Sequence, residues 1–302
     1  MPFFKMRRNL SVARFNWQSR GVLDTPPLKM RSGKVPLVFA SLVSHADIRM
    51  YLVAIKSIYS EVGFGGIEIV SDGSIHGDDE TLLRRHLPQI KIHRIADIDP
   101  SPCPRGGCWE RLWFILGRAV DSYVVQVDSD TVTCGPIPEV VECILANRSF
   151  VLGTRDGLAL SSLGQSAQFA RNFPADHVQV AAEQVIDRLP DAAGLRYVRG
   201  SAGFSGFARG GFSRERLVTF STAMQSHLPT RWAEWGTEQM ASNFAVSNSP
   251  AATVLPHPKY SCFDLRMDPA QAAFLHFIGT NRFDAGVYAR EARKVIDRLN
   301  RG

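Results

Sequence analysis

Val124-Val125-Gln126-Val127-Asp128-Ser129-Asp130 is the stretch on which the reading of this chain turns. Tyr123 to Val127 is a short run, apolar but for Gln126, of the kind that forms a strand buried on both faces of a parallel sheet. It ends in two carboxylates two residues apart. Strand alternation puts Asp128 and Asp130 on the same side, where two anions repel unless a cation sits between them. A hard divalent ion held through carboxylates and bridging substrate phosphates removes the conflict. Asp-x-Asp is common in solvated turns, but its place directly after an apolar strand favours the metal reading here.

On the N-terminal side, Val35 to Val43 reads as a first buried strand and Asp47 to Glu61 as a helix, with Ile48, Leu52, Ile55, Tyr59 and Val62 along one stripe. Ile67 to Val70 is a second strand. The helix near 78 to 87 begins with Asp78, Asp79 and Glu80 and ends with Arg84, Arg85 and His86, the charge order the helix dipole favours. Lys91 to Ile95 is a third strand, Trp109 to Val120 a helix, and Tyr123 to Val127 the fourth strand. This alternation predicts an α/β fold, Rossmann-like, with a mainly parallel central sheet flanked by helices and ligands at the carboxyl ends of the strands. Further on, Ile137 to Ala146, Val178 to Leu189 and 237–247 read as helices, Phe150 to Thr154 and 196–208 as extended. The expected organisation is a basic arm over 1–34, one domain over 35–284 and a basic terminal helix over 285–302.

The chain has 302 residues, 45% of them apolar and 21% charged, which places it among soluble globular proteins. Residues 1–34 carry eight basic side chains against one acid, more than the whole net charge of +6, and leave the other 268 residues one charge negative. A near-neutral body argues against nucleic acid as a partner. The basic residues of the arm are interleaved with Phe3, Phe4, Phe15 and Trp17, and this mixture predicts peripheral contact with an anionic membrane face. No run approaches the roughly 18 apolar residues of a membrane span, and no apolar run follows the basic N-terminus as in a secretory signal, so the expected location is the cytoplasm. Five cysteines at 103, 108, 134, 143 and 262, without a Cys-x-x-Cys pair, read as reduced thiols.

Asp128-Ser129-Asp130 in this strand–helix context resembles the Asp-x-Asp motif of nucleotide-sugar glycosyltransferases of the GT-A fold. Arg111-Leu112 before it is similar to the Arg-Leu of the glycogenin and lipopolysaccharide-galactosyltransferase family, and His276-Phe277-Ile278-Gly279-Thr280-Asn281-Arg282 resembles that family's His-Phe-x-Gly-x-x-Lys-Pro segment. Arg282 stands for lysine and Phe283 for proline. The resemblance implies a hexosyltransferase that moves a sugar from a nucleoside-diphosphate sugar, of the UDP class, to a hydroxyl of a glycan or lipid-linked acceptor, read here as retaining. It implies a manganese or magnesium ion on Asp128, Asp130 and His276, with Arg111, Gly279 and Arg282 at the diphosphate. Ser41 ends the strand that resembles the family's base- and ribose-binding strand, and Asp72, at the end of the second, can approach the nucleotide. Gly203 lies in the small-residue stretch Gly200 to Gly206, which suits either a close sugar or a tight strand crossing. Thr237-Glu238-Gln239 resembles the helix start beside the reacting sugar, making Glu238 and Gln239 the catalytic candidates, with Glu238 as first choice of base should the reaction invert and Glu234 and Asp156 as alternative acids. Two other readings are a sugar-phosphate nucleotidyltransferase, whose glycine-rich loop is missing from Ser41 to His45, and a non-catalytic protein that binds nucleotide sugars or docks on an anionic surface.

Overall fold

The structure, a computed structural model, describes residues 2–279 and 282–301, with side chains described from Leu10 onward; Thr280 and Asn281 of the glycine-containing segment, and the side chains of Phe3 and Phe4, lie outside that description. In chain order the helices are α1 (Pro2–Ser19), α2 (Ile48–Val62), α3 (Gly77–His86), α4 (Trp109–Arg118), α5 (Pro138–Leu145), α6 (Leu163–Ala170), α7 (Val178–Glu183), α8 (Arg214–His227), α9 (Thr237–Ser247) and α10 (Val287–Leu299). The strands are β1 (Leu37–Val43), β2 (Gly66–Ser71), β3 (Lys91–Arg94), β4 (Tyr123–Val127), β5 (Thr131–Thr133), β6 (Phe150–Gly153), β7 (Ser161–Ser162), β8 (Arg196–Tyr197), β9 (Gly200–Phe207), β10 (Thr253–Val254), β11 (Tyr260–Cys262) and β12 (Phe274–His276).

Seven strands form the central sheet in the order β10-β6-β9-β4-β1-β2-β3. The pairs β1·β2, β1·β4, β2·β3 and β6·β10 are parallel, as the alternation of strands and helices requires, because each crossover helix returns the chain to the same edge. The departure is β9, antiparallel to both β4 and β6 and buried along its whole length. The sheet therefore stays mainly parallel, flanked by helices, with one reversed strand next to the strand that carries the acids. Its two faces pack into separate cores, one around Phe39, Leu52, Ile55 and Val125, the other around Trp109, Leu112, Val124 and Phe244.

A second, three-stranded sheet in the order β11-β12-β5 leaves the end of β4, with β12 antiparallel to β5. Neither β5 nor β12 is long enough to carry a readable alternation. Their pairing places His276 opposite Thr131.

The segment read as an arm is docked. Residues of α1 lie against α10, with Phe15 only 1% exposed and its ring 4.3 Å from that of Tyr288. The connection that follows is pinned by Lys56, a fully buried lysine whose ammonium donates to the Thr25 hydroxyl and the Pro26 carbonyl, both at 2.7 Å, and lies 3.0 Å from His86 Nδ1. Burial pulls the Lys56 pKa down to about 8 and that of His86, beside it, to about 4. An aromatic anchor and a buried cation joint thus join this segment to the body. Among the described residues, no helix is long and apolar enough to cross a membrane.

Candidate active site

Strand β4 ends at Val127, and the next peptide is turned out of the central sheet while still tied to it: the Asp128 N–H donates to the Gly203 carbonyl at 2.9 Å. The Thr131 hydroxyl closes the turn on the Asp128 carbonyl at 2.8 Å, and β5 then pairs with β12. Because Thr131 faces His276 in that ladder and the Phe277 N–H donates to the Asp130 carbonyl at 2.9 Å, the imidazole is delivered to Asp130, with Nε2 3.1 Å from Oδ1. One ligand atom from each of Asp128, Asp130 and His276 falls within 4.8 Å of the others. The three residues expected to share a metal are together.

Two carboxylates and an imidazole suit a hard or borderline divalent cation such as manganese or magnesium. The surroundings fit that group. Ser201 Oγ lies 3.0 Å from His276 Nδ1, the kind of outer contact that fixes a ligand ring's orientation. Ser129 Oγ, buried in the wall of the same cleft, has no hydrogen-bond partner among the described residues. The Tyr288 hydroxyl donates to the Ser129 carbonyl at 3.2 Å and fixes the turn from behind.

Two arginines brace the acids. Arg282 meets Asp130 Oδ2 at 2.6 Å and donates through Nε to the Phe277 carbonyl. Arg111, buried on the first turn of α4, reaches Asp128 at 2.5 Å through one terminal nitrogen and both Glu238 oxygens, at 3.1 and 3.2 Å, through the other. Burial raises the Asp128 carboxyl, and the charge of Arg111 opposes it only in part. Burial also acts against Asp130, yet His276 and Arg282 outweigh it and hold that carboxyl below its ordinary value. His276 is correspondingly raised: burial disfavours its cation, and the Asp130 charge prevails. Glu238 is pushed up to about 7 by burial, with Arg111 opposing and Asp128 adding to the rise.

A cleft of about 240 Å³ opens over this group, lined by Leu42, Ser44, Asp47, Asp72, Cys108, Arg111, Asp128, Ser129, Asp130 and Arg282. Asp72 is at the rim, its carboxylate accepting from the N–H and hydroxyl of Ser74. Four expectations change. Ser41 does not line the cleft: it is buried on the face of β1 turned to Tyr51, and strand alternation gives the cleft to Leu42 instead. Gly203, expected at a substrate, lies against the His276 ring: a Cβ there would overlap it, so the missing side chain is what lets the imidazole stand against β9. Arg111, expected at a diphosphate, has both terminal nitrogens on acids. Glu238, expected at the sugar, lies behind Arg111 with both oxygens engaged.

Gln239, half-buried, accepts from the Ala202 N–H at 3.4 Å. Gly279 has φ +65°, a left-handed turn that favours glycine, with open space around its α-carbon. Ser201, Tyr288, Ser44 and Asp47 join the site without having been singled out. Only the cluster of small residues at 200–206 carried a signal for any of them, and it read equally well as a strand crossing.

No family model and no curated protein sequence matches the chain. Solved structures do. The WbbM bifunctional glycosyltransferase in its apo form aligns with 91% of this chain at 12% identity and a TM-score of 0.45, and the chain spans 53% of its length. The galactosyltransferase LgtC in complex with donor and acceptor sugar analogues aligns with 86% of this chain and 95% of its own at 12% identity, TM-score 0.48. Core-mannan synthase A (CmsA/Ktr4) from Aspergillus fumigatus, in an Mn/GDP form, aligns over 88% and 86% at 10% identity, TM-score 0.46. The first of these is described as a glycosyltransferase, the second as a galactosyltransferase and the third as a mannan synthase.

Proposed function

We propose that this chain is a GT-A-type glycosyltransferase that moves a sugar from a nucleoside-diphosphate sugar, of the UDP class, to an acceptor hydroxyl, with Asp128, Asp130 and His276 holding a manganese or magnesium ion. The observation that carries the reading is the convergence of these three side chains at the carboxyl end of β4, within a cleft that also presents Arg282. When bound, a divalent ion supplies Lewis-acid stabilisation of the negative charge that builds on a departing diphosphate. The chain's own residues set the stage for it. Ser201 and Gly203 fix the imidazole, Tyr288 fixes the turn, and Arg282 adds positive charge beside the phosphate position. Glu238, the first choice of base for an inverting reaction, is occupied by Arg111, which favours a retaining reaction in which the departing phosphate takes the acceptor's proton. In this reading Arg111 and Glu238 are positioning residues that set the direction of Asp128.

The test is metal-dependent release of nucleoside diphosphate from a panel of nucleotide sugars. Asp128→Asn and Asp130→Asn are each expected to lower release on the order of 100-fold or more. No release from any donor, or undiminished release from both variants, overturns the proposal.

The location is part of the same proposal. Leu10 and Trp17 stand 63% and 56% exposed on α1, with the Arg20 guanidinium 5.4 Å from the Trp17 ring, a mixture suited to an anionic lipid face where a lipid-linked acceptor would lie. Leu10→Ser with Trp17→Ser is expected to weaken binding to phosphatidylserine vesicles while sparing donor hydrolysis. Truncation of the whole segment is the wrong experiment, because it removes Phe15 from the core.

A further inference from the structure

We propose that His45, His76 and Asp79 form a second metal site, distinct from the cleft and chemically unlike it, for a borderline transition ion of the zinc class. The three residues come from two neighbouring connections. His45 stands in the short turn between β1 and α2, His76 is the N-cap of α3, and Asp79 is the third residue of that helix. Both imidazoles turn Nδ1 to the same atom: Asp79 Oδ2 lies 2.8 Å from His45 Nδ1 and 2.9 Å from His76 Nδ1. The rings are 4.6 Å apart, and the three ligand atoms fall within 4.8 Å of one another.

The acid is fixed and the imidazoles can adjust. The Asp79 side chain is 9% exposed and its Oδ2 also accepts the His76 N–H at 3.1 Å, whereas the His45 and His76 side chains are 55% and 59% exposed. Tetrahedral zinc with bonds of about 2.0–2.2 Å needs ligand atoms roughly 3.3 Å apart, so both surface rings draw back from Asp79 Oδ2 as the ion replaces the hydrogen bonds they make to it, and a fourth position stays open to solvent. Two nitrogens and one oxygen select zinc, nickel or cobalt over magnesium, the reverse of the oxygen-rich set at Asp128. The helix dipole opposes a cation at this end with roughly half a charge, and Asp78, Asp79 and Glu80 in the first turn outweigh it.

The site joins two walls of the cleft. The His45 N–H donates to Ser74, whose hydroxyl donates to Asp72 at the rim, and Ser44 and Asp47 on either side of His45 line the cleft itself. An ion here cross-links the turn after β1 to the start of α3.

Zinc alone is titrated calorimetrically into the full chain, its His45→Ala/His76→Ala variant and its Asp128→Asn/Asp130→Asn variant. The expected result is one zinc equivalent that the histidine variant loses and the aspartate variant keeps. In parallel, zinc at about 100 times its Kd is expected to raise the melting temperature of the Asp128→Asn/Asp130→Asn chain by a few degrees, a rise that adding His45→Ala/His76→Ala to that chain removes. His45→Gln/His76→Gln, which retains hydrogen-bonding groups at both positions, serves as a second variant should the alanine protein fold poorly. Equal zinc stoichiometry and affinity in the unsubstituted and histidine-variant chains, or loss of all zinc from the aspartate variant, overturns the proposal.

Discussion

The two three-ligand clusters differ in what surrounds them more than in what they contain. Around Asp128, Asp130 and His276 every charge has a partner that also has a partner: Arg111 between Asp128 and Glu238, Arg282 against Asp130, Ser201 against His276. His45 and His76, by contrast, are more than half exposed, and Asp79 is held by the two rings and the His76 N–H. The difference is one of desolvation. A buried charge without compensation costs several kcal/mol, so the inner cluster needs a built framework, whereas an exposed one is solvated without help. Perturbing the inner framework should therefore cost much more than perturbing the outer cluster.

The largest effect is expected from Arg111→Leu. It leaves Glu238 and Asp128 facing each other without a cation, and a loss of about 3–5 kcal/mol in denaturant unfolding follows from breaking a buried pair. The loss should be smaller at pH 5 than at pH 8, because a protonated Glu238 no longer needs the guanidinium. Glu238→Gln isolates the next term. With the folded carboxyl at about 7 against an ordinary value of 4.5, the unfolded chain gives up its proton first, so stability falls as pH rises from about 4.5 to about 7 and then levels. That fall is on the order of 3 kcal/mol and should be absent from the glutamine variant when melting is followed across this window. Gly203→Ala tests the close approach of His276 to β9: about 1–3 kcal/mol of destabilisation is expected from the overlap, with weaker manganese binding read by titration. Smallest is Asp79→Ala in metal-free buffer, about 1 kcal/mol from the lost reciprocal cap of α3. A larger loss there would mean that the outer cluster has a framework of its own.

The same contrast explains what could be read in advance. Tyr123–Val127 and α9 were legible to the residue, and β1, β2, β3, α2, α3 and α4 to within one or two residues at either end, because each declares itself through a local period or apolar run. Helices α1, α6 and α8 were not singled out. The basic residues of α1 mask its helical pattern, and the buried stripe of α8, Leu217, Phe220, Ser221 and Met224, includes a serine and is blurred by Val218 and Ala223 beside it. Strands β5 and β12 are three residues each and have no period to show. Asp128 and Asp130 were legible because they end a recognisable strand. His276 was reached through a resemblance over a short segment, not through any local feature of its apolar surroundings.

The roles of individual residues were harder to read than their presence. Arg111 and Glu238 were both named as candidates, but nothing in either neighbourhood signals that they bind each other across 127 positions. Ser41 and Leu42 are adjacent in the chain and opposite in the strand, and only the packing of Tyr51 decides which of them faces the cleft. The small residues around Gly203 permit any close neighbour, a sugar or a crossing strand alike, and the neighbour is an imidazole.

The alternation of strands and helices, the mainly parallel sheet and the two acids at the end of its fourth strand are all written locally in the chain, since they follow from period, propensity and charge over windows of a dozen residues or so. The tertiary structure alone decided that β9 runs antiparallel beside β4, that β12 carries His276 to Asp130, that Arg111 belongs to Glu238 and that the basic N-terminal segment is docked through Phe15 and Lys56. Those choices are made by pairing and desolvation between groups far apart in the chain, where each partner's place depends on that of the other.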